Sequence, residues 1–180
     1  QQLAGDTDGA QDSLLQTSEL HKKQPFISPY YYVPYLASRF SVDIEQIKQA
    51  KWLSNSENLA RLRNRAYKTG KTALRNSRKF APYRTKIFRL LGEYFWQVGK
   101  QGKAFKWWKK AIREGERLGA RPDLSRTYFE VGKRLLEPQS KHKKLNGIDA
   151  KGYLEKAAVL FEELGFDRDL QELKAKRSSA

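Results

Sequence analysis

Phe88-Arg89-Leu90-Leu91-Gly92-Glu93-Tyr94-Phe95 and, after eight intervening residues, Ala104-Phe105-Lys106-Trp107-Trp108-Lys109-Lys110-Ala111 are the stretches that decide the fold. Bulky side chains recur in both at spacings of three and four, the period of an amphipathic helix. The small residues between them have a steric reason. Two antiparallel helices approach closely only where one offers Gly or Ala and the other a large side chain, so Gly92 is expected against Trp108. Pro82, six residues before Phe88, suits a first helical turn, where a missing N–H costs nothing. Gly119 is placed to end the second helix in a left-handed conformation.

The same spacings return on both sides. Ala104, Trp108, Ala111, Leu118 and Gly119 match Ala150, Leu154, Ala157, Leu164 and Gly165 downstream, and Ala66, Gly70, Ala73, Phe80 and Ala81 upstream. The series Phe88, Leu91, Gly92, Phe95 matches Tyr128, Val131, Gly132, Leu135, again six residues after a proline, Pro122. Gly132 is accordingly expected against Leu154. Between Leu135 and Ala150 stands an insertion with Pro138 and Lys141-His142-Lys143-Lys144. Each repeat reads as a helix pair, and since one pair leaves an apolar face uncovered, pairs must stack.

The order Phe88, Leu91, Gly92, Phe95, Ala104, Trp108, Ala111 resembles the tetratricopeptide repeat (TPR) in residue type and spacing. The second copy departs from it through the insertion and through the second helix, which runs on through Glu114-Gly115-Glu116-Arg117-Leu118. The Trp107-Trp108 and Leu118-Gly119-Ala120-Arg121-Pro122 details are similar to the carboxy-terminal repeats of large bacterial multidomain signalling ATPases and cyclases. The resemblance implies an all-α, right-handed stack of antiparallel helix pairs, a TPR-like superhelix. It holds about two full repeats (82–119 and 122–165), a degraded one upstream and a capping helix at 167–176, within a domain spanning 25–180. It also implies a partner groove lined by the first helix of each pair, at Lys86, Arg89, Glu93 and Trp96, then Arg126, Phe129, Lys133 and Leu136. Peptide-carboxylate clamps of the family carry asparagine where Glu93 and Lys133 stand, which argues against capture of a peptide terminus.

Residues 1–24 are polar, with Leu14, Leu15 and Leu20 as their main apolar content, and read as a flexible arm. Pro25, Pro29 and Pro34 predict no helix before Tyr35, and Tyr30, Tyr31 and Tyr32 read as packed onto the neighbouring helical core in preference to an exposed recognition strip. Leu36, Phe40, Ile44, Ile47 and Leu53 then predict one or two amphipathic helices. Ser54 and Glu57 form a capping box, so the next helix starts near Asn55 and runs toward Phe80.

Composition narrows the function. Thirty-six Lys and Arg against 20 Asp and Glu give a net charge of +16, which attracts anionic partners. Between Asn58 and Gly92 there are 11 cationic residues and no carboxylate. Arg61, Arg65 and Lys68 share one helix face, continued by Lys71, Arg75 and Arg78. This basic stripe reads either as a phosphate-binding surface or as a solvated face. Lys106-Trp107-Trp108-Lys109-Lys110 resembles a stacking platform for single-stranded nucleic acid, although Trp108 holds a core position.

No cysteine is present, which excludes disulfides and thiolate chemistry. His21 and His142 lack ligand-type neighbours at helical spacing and read as solvated loop residues, so no metal is expected. Thr69-Gly70-Lys71-Thr72 lacks the glycine a phosphate loop needs at position 65, which is Arg65. Glu114, Glu116, Glu162 and Glu163 read as partners of nearby cations rather than as acid-base pairs. Neither a catalytic residue nor a cofactor is expected. No apolar run is long enough for a membrane span, and a cytoplasmic location is expected. The absence of methionine and the opening Gln1-Gln2 suggest a piece of a longer protein. The leading expectation is a non-catalytic interaction module for an acidic partner. A nucleic-acid-binding helical domain using residues 59–89 comes second, and an enzyme last.

Overall fold

A computed structural model describes residues 9, 12–14, 16, 17, 27–53 and 56–178. Most of the arm, His21 and the Ser54–Glu57 capping interaction lie outside these residues. The chain divides into two compact units after Leu90.

In the first unit, α1 (Pro29–Trp52) packs against α2 (Ser56–Ser77). Helix α1 begins six residues earlier than the prolines suggested. Pro29 occupies its first turn, where no N–H is needed, and the Tyr30 amide donates to Ser28 Oγ at 3.4 Å. Pro34 lies inside the helix and forfeits one backbone bond there. Buried Val33, Leu36 and Ala37 around it supply the packing that overrides this local penalty. Tyr32 stacks along Tyr35, whereas Tyr30 and Tyr31 are exposed instead of packed into the core.

The α1–α2 contact depends on a glycine and a carboxylate. A Cβ at Gly70 would stand 2.7 Å from Phe40 Cζ, so the ring of α1 lies directly on the backbone of α2. In this pair the glycine comes from the second helix and the ring from the first. Asp43, fully buried on α1, accepts from Arg65 Nε at 2.8 Å and from Thr69 Oγ1 at 2.7 Å, with Arg39 Nε 3.5 Å away. A carboxylate buried this deeply needs a cation beside it, and Arg65 is that cation.

A 3-10 turn at Ala81–Tyr83 carries Pro82 and leads into α3 (Arg84–Gln97), which spans the division between the units. The second unit continues with α4 (Gln101–Leu118), α5 (Arg121–Leu136), β1 (Lys144–Leu145), β2 (Ile148–Asp149), α6 (Ala150–Glu163) and α7 (Asp167–Ser178). Gly119 stops α4 at φ 62°, with the Ala120 amide donating to Gly115 O at 2.9 Å. The helix pairs α1/α2, α3/α4 and α5/α6 are antiparallel, and the fold is all-α and TPR-like apart from one short hairpin.

Both expected glycine contacts are present. A Cβ at Gly92 would overlap the fully buried indole of Trp108, and one at Gly132 would lie 2.7 Å from Leu154 Cδ2. Around them the core gathers Phe105, Tyr153, Phe161 and Leu173.

The insertion after α5 is ordered by a tight turn and by contacts with α4. Asn146 and Gly147, at φ 50° and 81°, form the tight turn between antiparallel β1 and β2. Gln101 donates to Gln139 O at 2.8 Å and accepts from the Lys141 amide at 2.9 Å. His142 is no solvated loop residue, since its ring lies 4.3 Å from that of Phe105. Among the described residues, no helix is long and apolar enough to cross a membrane.

Candidate functional site

The basic stripe of α2 divides into an inward and an outward part. Arg65 is turned to Asp43 and Gln46 of α1 and belongs to the helix contact. Arg61, Lys68, Lys71, Arg75 and Arg78 are exposed. Arg61 donates to the Asn58 amide oxygen at 3.1 and 2.9 Å, and Lys71 lies over the Tyr67 ring at 5.6 Å. Among the described residues, Lys68, Lys71, Arg75 and Arg78 have no carboxylate partner. Beside Arg61 a notch of about 350 Å³, also lined by Gln46, Gln49 and Asn58, opens between the end of α1 and the start of α2.

The positions read as a partner groove lie differently from that expectation. Lys86 sits over the Tyr83 ring at 5.8 Å, and Arg89 is half-buried. Glu93 and Trp96 are buried. Trp96 meets Phe105 edge-on at 6.0 Å and carries the Arg134 guanidinium at 5.6 Å. In the next repeat α7 covers the row. Arg126 donates to both oxygens of Asp169 at 3.4 and 3.1 Å and rests on Phe166 at 4.7 Å. Phe129 is buried edge-on against Phe161. Lys133 meets Glu130 and Glu172, both at 3.2 Å, and lies over Phe129 at 4.3 Å. Leu136, at the end of the row, is exposed.

This row is electrically satisfied. Burial opposes the charge of Lys133, but Glu130, Glu172 and Glu93 together outweigh it and hold its ammonium above the ordinary lysine value. Burial likewise opposes the charge of Arg134, while Glu130 and Glu137 raise its value. Tyr128 is pushed up by burial and by its bond to Glu116, and burial pushes the Tyr153 phenol up to about 12. Among the described residues, no group of three or more His, Asp or Glu stands together to hold a metal ion.

Periodicity alone misses two features. One is Asp43, whose partner Arg65 lies 22 residues along the chain. The other is a cleft of about 610 Å³ along the outer side of α4, lined by Trp107 and a set of cations. The run Lys106-Trp107-Trp108-Lys109-Lys110 marks half of it, and Asn146 of the hairpin completes it. The chain matches no family model, no curated protein and no solved structure, so its likeness to tetratricopeptide repeats stands on the helix pairs and their glycine contacts.

Proposed function

We propose that this chain is a non-catalytic interaction module whose partner is an acidic protein segment docking on the cationic face of α2. The observation that carries this reading is the exposure of Lys68, Lys71, Arg75 and Arg78 with no carboxylate partner among the described residues. Like charges held side by side repel one another, and an approaching row of carboxylates relieves that repulsion while being steered by the same field. The notch beside Arg61 lies next to the stripe and carries Gln49 in its lining, an amide suited to the backbone of an extended segment. Arg126 and Lys133 are already matched by Asp169, Glu130 and Glu172. The likeness to repeats of bacterial signalling enzymes supports a scaffold or regulatory role within a larger protein.

Nucleic acid is the competing partner, since the exposed Tyr67 beside Lys71 offers one ring for a base. Fluorescence anisotropy with a labelled glutamate-rich peptide and with random single-stranded RNA separates the two. R75E combined with R78E is expected to weaken the peptide at least about tenfold, with binding that weakens as salt rises from about 50 to about 200 mM. Unchanged peptide binding in that variant overturns the reading. Arg65 must be left in place, because its removal strands the Asp43 carboxylate.

A further inference from the structure

Helix α4 has a second working face. Its inner side buries Ala104, Phe105, Trp108, Ala111, Ile112 and Gly115 in the core. Its outer side opens into the cleft of about 610 Å³, a size common among ligand pockets. Trp107, Ile112 and the aliphatic stems of the lysines give this cleft an apolar floor. Lys103, Lys106, Lys109, Lys110 and Arg113 form its rim. Among the described residues, none of these five cations has a carboxylate partner. Lys110 Nζ instead lies 4.4 Å from the centre of the Trp107 ring, and Lys103 Nζ 5.7 Å from that of Phe95. The one carboxylate in the lining, Glu116, already accepts the Tyr128 hydroxyl at 3.0 Å.

The contrast within the same unit is what gives this rim meaning. Arg117, Arg121, Arg126, Lys133 and Arg134 all stand in ion pairs. The cations of the cleft do not, although they are crowded within one helix face. From Lys103 to Arg113 the helix rises about 15 Å, the length of about five extended residues.

The geometry points to this cleft as a second binding site, taking an extended acidic peptide that carries one apolar side chain as an anchor. The anchor rests on the apolar floor beside Trp107, with the edge of the buried Ile112 below it, and the flanking carboxylates meet the lysines and Arg113 of the rim. A nucleic-acid strand fits less well, because strand-binding grooves present successive rings to successive bases. Here one indole lines the floor, with Lys110 over it. The hairpin tip at Asn146 closes the far side, which gives the insertion between α5 and α6 a role in binding. The site shares only its acidic class of partner with the reading of α2, and its residues belong to the other unit.

The test uses the full chain and three labelled probes. These are a peptide of alternating aspartate and glutamate, about eight residues long, with one central leucine, the same peptide with glycine for leucine, and an oligothymidylate of equal charge. The leucine peptide is expected to bind about tenfold more tightly than the glycine peptide, the value of burying one aliphatic side chain in part. K106E with K110E lowers the affinity for the leucine peptide to that of the glycine peptide, whose remaining salt-dependent binding rests on the face of α2. W107A abolishes the preference for leucine while leaving the salt-dependent component. R75E with R78E leaves that preference unchanged, which separates this site from the face of α2. Equal binding of the two peptides overturns the proposal, as does tighter binding of the oligothymidylate. So does retention of the leucine preference in both W107A and K106E/K110E, whose lysines are exposed and whose folding is checked by circular dichroism.

Discussion

Gly92 and Gly132 occupy equivalent places in successive helix pairs, yet they tolerate a methyl group differently. At Gly92 the obstacle is the indole of Trp108, which is fully buried and has nowhere to go. At Gly132 the obstacles are Leu154 Cδ2 and Cγ at 2.7 and 2.8 Å and the Ala150 carbonyl at 3.3 Å, a smaller overlap than at Gly92. Gly102, near the start of α4, has nothing within 4 Å. Urea unfolding is therefore expected to rank three variants. G92A loses about 2–3 kcal/mol after the helical gain of alanine is subtracted, and G132A loses less. G102A gains up to about 1 kcal/mol. At Asp43 the issue is charge. D43A leaves Arg65 and Thr69 without their acceptor, but Arg65 is partly open to water, so a loss of about 1–3 kcal/mol is expected in the same assay. The glycine contacts are legible because small and bulky positions alternate at fixed spacing. Asp43 is not, since a single carboxylate between Val42 and Ile44 carries no periodic signal and its partner is distant in the chain.

Among the elements, α7 does more than shield an apolar end. Leu173 plugs the core of the second unit, while Asp169 and Glu172 reach Arg126 and Lys133 of α5. The D169N variant is expected to loosen α7 by up to about 1 kcal/mol, the ordinary scale of a partly exposed ion pair. Hydrogen exchange within Asp167–Ser178 reads this directly, and unchanged exchange there contradicts it.

The hairpin adds a dependence on alkaline pH, because the Tyr153 hydroxyl donates to Leu145 O at 3.0 Å and burial keeps the phenol protonated to about pH 12. An unfolded tyrosine ionises near pH 10, so the folded state holds the proton more tightly. Stability from this group is present below about pH 10 and falls as pH rises toward 12. The raised ammonium of Lys133 acts in the same direction. Y153F is expected to lose some stability at pH 8 but to show a shallower decline between pH 10 and 12 in thermal unfolding. Most helices were legible from three-and-four spacing, and the cap was too. The start of α1 was obscured because proline rules are local, whereas burial of Val33, Leu36 and Ala37 acts through tertiary packing. The hairpin carried its own signal in Asn146-Gly147, masked by the lysines and proline before it.

For the molecule as a whole, the excess of cations is distributed with a pattern. On α5 the cations are matched by carboxylates of their own helix, of α6 and of α7, whereas Lys68, Lys71, Arg75 and Arg78 of α2 and the cations around the cleft of α4 stand without one among the described residues. The charge total was legible from composition, but which cations are matched was not, because matching depends on helices that meet only in the folded chain. The groove carried over from the resemblance illustrates this, since Arg126 and Lys133 share a helix face with Phe129 yet that face receives α7. Competition at about 0.15 M salt decides whether the partner is an acidic protein segment. A labelled glutamate-rich peptide bound to the full chain is challenged with unlabelled single-stranded RNA of equal charge. The peptide is expected to stay bound until the RNA is in at least about tenfold excess, and R75E with R78E is expected to remove the peptide signal. Displacement by less than an equal amount of RNA would contradict an acidic protein segment as partner.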